Sequence, residues 1–110
     1  MIDIELDIFS GRPNPLWRAG PSDTEFLIRR LAELPALGQW RVAATSFDGL
    51  GYRGFLIRRI DASGQPLAPV RIFQGQVIEG QRSCDAPPGL EAWLIQQAGS
   101  HGWADAVRGL

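Results

Sequence analysis

The run Phe9-Ser10-Gly11-Arg12-Pro13-Asn14-Pro15 sets a hydroxyl, a guanidinium and an amide close together in one loop. Two prolines fix φ at positions 13 and 15, and each excludes the residue before it, Arg12 and Asn14, from the α region. Gly11 permits a bend that no side chain would tolerate. A loop so constrained has little conformational entropy left to lose, which makes Ser10, Arg12 and Asn14 candidate contacts for an anion or a carbonyl-rich ligand. The competing reading is structural: extended, proline-rich backbone needs side-chain partners where it is buried, and Arg12 and Asn14 would then tie the loop to backbone carbonyls and nearby carboxylates.

A second constellation is Gly49-Leu50-Gly51-Tyr52-Arg53-Gly54. Its glycines let backbone approach a strand or a ligand closely. Tyr52 can stack and hydrogen-bond, and Arg53 can fork onto a carboxylate or phosphate. Should this segment lie beside the first loop, Arg12, Asn14, Tyr52 and Arg53 would converge on one polar pocket. The plainer reading is a loop entering a strand.

Asp3, Glu5 and Asp7 alternate with apolar residues and so share one face of a strand, roughly 7 Å apart. Such a set could bind a hard cation, or Asp7 could serve as a general base with Arg12 as electrostatic stabiliser. Pairing with Arg58 or Arg71 on adjacent strands is the duller alternative. No EF-hand run is present, and no metal or other cofactor is expected. Cys84 and His101 are the one thiol and the one imidazole. A thiol ahead of a helix N-terminus would have a lowered pKa, but no nucleophile signature surrounds Cys84. His101 reads equally well as a cation at a helix C-terminus. Nucleophile-elbow, zincin, dinucleotide and P-loop motifs are all missing.

The elements that must position these residues follow from periodicity. Residues 2–9 alternate strictly, with Ile2, Ile4, Leu6 and Ile8 on one face, which predicts a half-buried strand. Leu16-Trp17-Arg18 reads as a brief extended piece packing Trp17 inward. Ser22-Asp23-Thr24-Glu25 has the form of a capping box, which predicts a helix with Ser22 as N-cap, an inward stripe of Leu27, Leu31 and Leu34, and an end imposed by Pro35. A short strand is expected somewhere in 40–47, and Asp48 to Gly51 signals a turn. Residues 53–60 read as a central strand, the cluster Asp61 to Pro66 as a turn, and 69–74 as the returning arm of a hairpin. Gly75 suggests a bulge or bend, with 76–79 continuing that strand. A last helix follows Pro87-Pro88, with prolines in its first turn and Leu90, Trp93, Leu94, Gln97 and Ala98 on one face, and 103–107 adds a helical turn. Strand, helix, strand, strand, helix defines an α+β domain: a two-layer sandwich with a small, mainly antiparallel sheet covered by two helices on one face. Parallel pairing of the first strand with a later one stays open.

The whole chain sets wider limits. Its 110 residues suit a single domain, 1–110, and 45% hydrophobic with 21% charged residues suits a soluble globular protein. A net charge of −1 without a clustered basic excess argues against nucleic acid as partner. All 11 basic residues are arginine, which excludes Schiff-base and P-loop lysine chemistry. One cysteine, no secretory signal and no apolar run long enough to span a bilayer predict a cytoplasmic protein without membrane attachment.

Leu6 to Pro15, with Trp17 behind it and Gly49-Leu50-Gly51-Tyr52-Arg53-Gly54-Phe55 later, resembles a group of small uncharacterised proteins from bacteria and some fungi. The resemblance covers the chain in outline. It implies a shared fold and a shared loop and supplies no catalytic residue. Together these readings predict a binding or accessory module that recognises an anionic or peptide-like ligand through Ser10 to Asn14 and Tyr52-Arg53. A cofactor-independent enzyme of specialised metabolism is the alternative. A third class is a structural subunit, such as a homodimer, docking through a flat apolar patch built on Trp17, Trp40 or Trp103.

Overall fold

Alternation in the N-terminal segment becomes β1, Ile2–Leu6, whose apolar residues are buried at every second position. In the computed structural model, residues 1–34, 39–43 and 51–110 are described. They hold β2 (Leu16–Arg18), α1 (Pro21–Ala32), β3 (Arg41–Val42), β4 (Phe55–Arg59), β5 (Val70–Phe73), β6 (Gln76–Glu79), β7 (Arg82–Asp85) and α2 (Leu90–Ala98). The seven strands form one sheet in the order β2-β1-β4-β5-β6-β7-β3. Every pairing between these strands is antiparallel, so the parallel option for β1 falls away. This is an α+β fold, with more strands than the sequence suggested.

The register explains the core. Trp17, Ile4, Ile57 and Val70 lie in one row across the strands. Leu6, Phe55, Ile72, Val77 and Cys84 form the next. Residues opposite one another share a face, so these rows make a continuous apolar surface. Leu27 and Leu31 of α1 and Leu90, Leu94 and Ala98 of α2 belong to the same buried cluster. Burial of this surface is the main stabilising term. The opposite face carries polar rows, with Arg18, Asp3 and Arg58 in one and Glu5, Leu56 and Arg71 in another.

Several local expectations change. The start of α1 lies one residue before Ser22: Gly20 is the N-cap and Pro21 opens the first turn, so the Ser22 hydroxyl makes no cap. Proline lacks the N–H that would go unsatisfied there, and its fixed φ suits the first helical position. The helix stops at Ala32 with Glu33 as C-cap, ahead of Pro35, which lies outside the described residues. The short strand expected within 40–47 is present at Arg41–Val42, which pairs with β7; residues 44–50, with the Asp48 turn, also lie outside the described set. Gly75 is no bulge. Phe73 faces Gln76 across a two-residue turn in which Gln74 and Gly75 have φ of 52° and 75°, so the chain reverses instead of continuing. Positive φ at both positions is the type I′ pattern, whose twist matches that of paired strands. Glu79 then faces Arg82 across Gly80-Gln81, with φ of 60° at Gly80, and β7 returns, a strand the sequence reading missed. Pro87 and Pro88 precede α2, whose N-cap is Gly89, so they are not within its first turn. After α2 a wider helical turn over Gly99–Trp103 breaks at His101-Gly102, where Gly102 has φ of 92°.

No helix among the described residues is long and apolar enough to cross a membrane.

Candidate functional site

The end of β1 and the loop behind it are held by one polar network. Asp7 has only 12% of its side chain exposed. Its Oδ1 accepts from Arg53 Nε at 3.1 Å and Nη2 at 2.9 Å, and its Oδ2 accepts from Arg71 Nη1 at 2.7 Å. Arg53 Nη2 also donates to the Phe9 carbonyl at 3.0 Å, and Arg71 Nη1 to the Arg53 carbonyl at 2.7 Å. Asn14 closes the loop from within: its Oδ1 accepts from the Ile8 and Phe9 amides at 3.1 and 2.8 Å, and its Nδ2 donates to Glu5 Oε2 at 3.0 Å and Asp7 Oδ1 at 3.2 Å. Glu5 also pairs with Arg58 at 2.9 Å, and Asp3 with Arg18 at 3.0 Å. The carboxylates of β1 are therefore matched to arginines on neighbouring strands. Among the described residues no group of three acidic, histidine or cysteine side chains is arranged to hold a metal ion.

This network fixes the state of Asp7. Burial alone would push its carboxyl up, but the hydrogen bonds and charges of Arg53 and Arg71 outweigh burial and hold it below the usual carboxylate range. A carboxylate so stabilised is a weak proton acceptor, and its geometry suits bracing the loop.

Gly54 explains how Arg53 comes so close. The Arg53 amide donates to the Asp7 carbonyl at 2.7 Å and the Asp7 amide to the Gly54 carbonyl at 2.9 Å, extending the β1–β4 ladder. Gly54 has φ of +90°, and a Cβ there would lie 2.3 Å from the Ile72 carbonyl oxygen. The close approach offered by the glycine-bracketed segment is thus to strand β5.

Tyr52 takes the opposite direction from Arg53. Its hydroxyl donates to Glu91 Oε2 at 2.5 Å, at the start of α2, and its ring packs edge-on against Phe55 and Phe73. Burial first, then the hydrogen bond and charge of Glu91, push the phenol well above its ordinary pKa. Glu91 also accepts the Gln74 amide at 3.2 Å and the Gly75 amide at 2.7 Å. Sequence reasoning missed Glu91, and the one signal for it was an acidic residue in a helical first turn.

Of the residues singled out for a pocket, Asn14 and Arg53 meet through Asp7, whereas Tyr52 joins a separate clasp and Arg12 joins neither. Arg12 is exposed and lays its guanidinium 3.6 Å over the Phe9 ring. Each of the other ten arginines has a carboxylate within 4.0 Å; among the described residues Arg12 alone has none. It opens onto a cleft of about 500 Å³ between the loop and the C-terminal turn, lined also by Phe9, Trp103 and Asp105. Trp103 is 37% exposed there, and Asp105 is paired with Arg108 at 2.6 Å. Ser10 is exposed at the loop tip. Trp17 is buried in the core with the His101 ring stacked on it at 5.2 Å, which fastens the C-terminal turn beside the loop.

Cys84 lies in β7, buried, with its thiol pushed up chiefly by that burial. β2, which carries Trp17, is first in the sheet and β7 sixth, five strand spacings or about 24 Å along the sheet at ~4.8 Å per strand. The lowered thiol pKa expected at a helix N-terminus does not occur, and His101 is at the other side of the sheet. Of the tryptophans on which an apolar patch could be built, Trp17 is internal, Trp40 lies under Arg82 beside β3, and Trp103 is 37% exposed.

Fold and site together define an α+β protein with an antiparallel sheet and a braced N-terminal loop that presents one arginine. No family model matches this chain, and no curated protein or solved structure matches it.

Proposed function

We propose that the protein is a binding module that recognises an anionic or peptide-like ligand at the Ser10–Asn14 loop. The carrying observation is Arg12, the one described arginine without a carboxylate partner, presented on a loop that Asn14, Asp7, Arg53 and Arg71 hold rigid. A preorganised guanidinium against an aromatic ring loses little freedom when it takes up a carboxylate or phosphate. In this reading Arg12 and Ser10 touch the ligand, Asn14 and Arg53 position them, and Tyr52 anchors the segment that carries Arg53. The peptide-like form is favoured because the cleft lines Arg12 with two aromatic rings, Phe9 and the exposed Trp103, a lining suited to a carboxylate carried on an apolar or aromatic side chain.

The same proposal places the protein in a reducing, cytoplasmic setting, which its buried free thiol suits. It also takes the fold as two layers, both helices on the inward face; the core cluster shared by Leu27, Leu31, Leu90 and Leu94 supports that arrangement.

Thermal unfolding of wild type and Arg12→Ala against anionic metabolites, short peptides and divalent cations tests the proposal, because a ligand that binds only the native state raises the midpoint. A ligand that raises the wild-type midpoint by several degrees should leave Arg12→Ala unmoved, with the variant's own stability within about 0.5 kcal/mol of wild type. A variant that melts early, with nothing stabilising the wild type, would make Arg12 structural and remove the proposed site.

A further inference from the structure

At the end of the sheet where β4 runs into Ile60, two clefts of about 300 and 310 Å³ share Arg59, Ile60 and Leu67. The first is walled by Ile28 and Leu31 of α1. Of the eight large apolar side chains exposed among the described residues, four line this cleft: Met1, Ile28, Ile60 and Leu67. Exposed apolar side chains scattered singly need no explanation, but a cluster in a concavity marks a binding surface.

Arg59 charges both clefts; Arg58, which lines the second, is held by Glu5 at 2.9 Å. The Arg59 Nε is buried without an acceptor among the described residues. Among the described residues the carboxylate that reaches it is Glu79, 4.0 Å away and held by Arg82 at 2.8 Å. Asp3, the one carboxylate among the described lining residues of the two clefts, is taken by Arg18 at 3.0 Å. The guanidinium is therefore poorly matched within the protein and sits beside an apolar wall, where charge-assisted hydrogen bonds are strong.

We propose that this groove binds a small aliphatic carboxylate, its chain over Ile28, Ile60 and Leu67 and its carboxylate on the terminal nitrogens of Arg59. Charge complementarity selects the head group. A neutral alcohol of the same length would cover the apolar wall and accept at most a neutral hydrogen bond from the guanidinium, without the opposite charge of a carboxylate. The site is separate from the Arg12 cleft and shares no lining residue with it.

Methyl NMR titration of the full chain with hexanoate, octanoate, decanoate and octanol tests this. Octanoate should move the Ile28, Ile60 and Leu67 methyl signals. Each added pair of methylenes should tighten binding about tenfold. Octanoate should bind roughly tenfold more tightly than octanol, the size of a charge-assisted hydrogen bond. Arg59→Met keeps the aliphatic stem and should erase the octanoate preference while leaving octanol unaffected. Ile28→Ser, on an exposed helical position, should flatten the chain-length dependence in a folded protein and keeps the test decisive if Arg59→Met does not fold. Arg12→Ala should change none of these affinities. Equal affinity for octanol and octanoate, unmoved groove methyls, or a carboxylate preference lost in Arg12→Ala and kept in Arg59→Met would overturn the proposal.

Discussion

Asp7 decides how the loop behaves, because two guanidiniums and one amide all end on its carboxylate. Removing it would take from Arg53 and Arg71 the carboxylate they share while leaving their bonds to the Phe9 and Arg53 carbonyls, and breaking a partly buried pair from one side costs more than the pair contributes. Asp7→Ala should lower stability by about 1 to 3 kcal/mol in urea unfolding, and Asp7→Asn, which keeps part of the hydrogen bonding, should cost less. The sign with pH follows from the lowered folded pKa. The unfolded chain binds the proton first, so the Asp7 contribution is full above the unfolded value near 3.9 and is lost as pH falls through the folded one. The gap between wild type and Asp7→Asn should therefore shrink below about pH 4; a gap that stays constant down to strong acid would mean that Asp7 ionisation is not linked to folding. At this scale the sequence had foreshadowed the network in part: the bonding of Asn14 to backbone and carboxylates, and the matching of β1 acids with Arg58 and Arg71, were both readable as structural alternatives. The exact partner of Arg53 was not, because Asp7 and Arg53 are joined only by the β1–β4 register.

At the level of elements, turn chemistry was the weakest signal. Gln74-Gly75 is a type I′ turn with a non-glycine residue at positive φ, which is why no Asn-Gly or Asp-Gly pattern announced the β5–β6 hairpin. β7 was hidden for a related reason, since Arg82-Ser83-Cys84-Asp85 alternates weakly and its burial comes from neighbours on either side. Gln74 carries left-handed strain that asparagine tolerates better. Gln74→Asn should therefore stabilise the protein by about 0.5 to 1 kcal/mol, read as a higher midpoint in urea with an unchanged slope. A lower midpoint would show that the glutamine side chain contributes more than its backbone strain costs.

Across the whole molecule, the helix that follows the sheet is fastened to it by Glu91, which gathers Tyr52 and the Gln74-Gly75 amides at one end, while His101 on Trp17 fastens the other end. Tyr52→Phe keeps the ring in its aromatic contacts and removes one donor to Glu91, so it should cost about 1 kcal/mol at neutral pH. Because burial and Glu91 raise the folded pKa of Tyr52, its neutral form stabilises the fold below the unfolded value near 10, and that stability drains away as pH rises beyond it. The wild-type advantage over Tyr52→Phe should close in alkaline urea titrations; an advantage that grows there would contradict a phenol kept protonated by the fold. By itself the sequence determined the α+β class, the buried alternation of β1, the central place of β4, the α1 and α2 stripes and the stiffness of the Ser10–Asn14 loop, since all of these follow from local periodicity and backbone sterics. Only the tertiary structure decided the seven-strand order, the separation of Tyr52 from Arg53, the distance from Cys84 to His101 and which arginine has no carboxylate partner among the described residues. Those depend on which strands pair and in what register, and antiparallel pairing brings together residues whose spacing along the chain carries no trace of their contact.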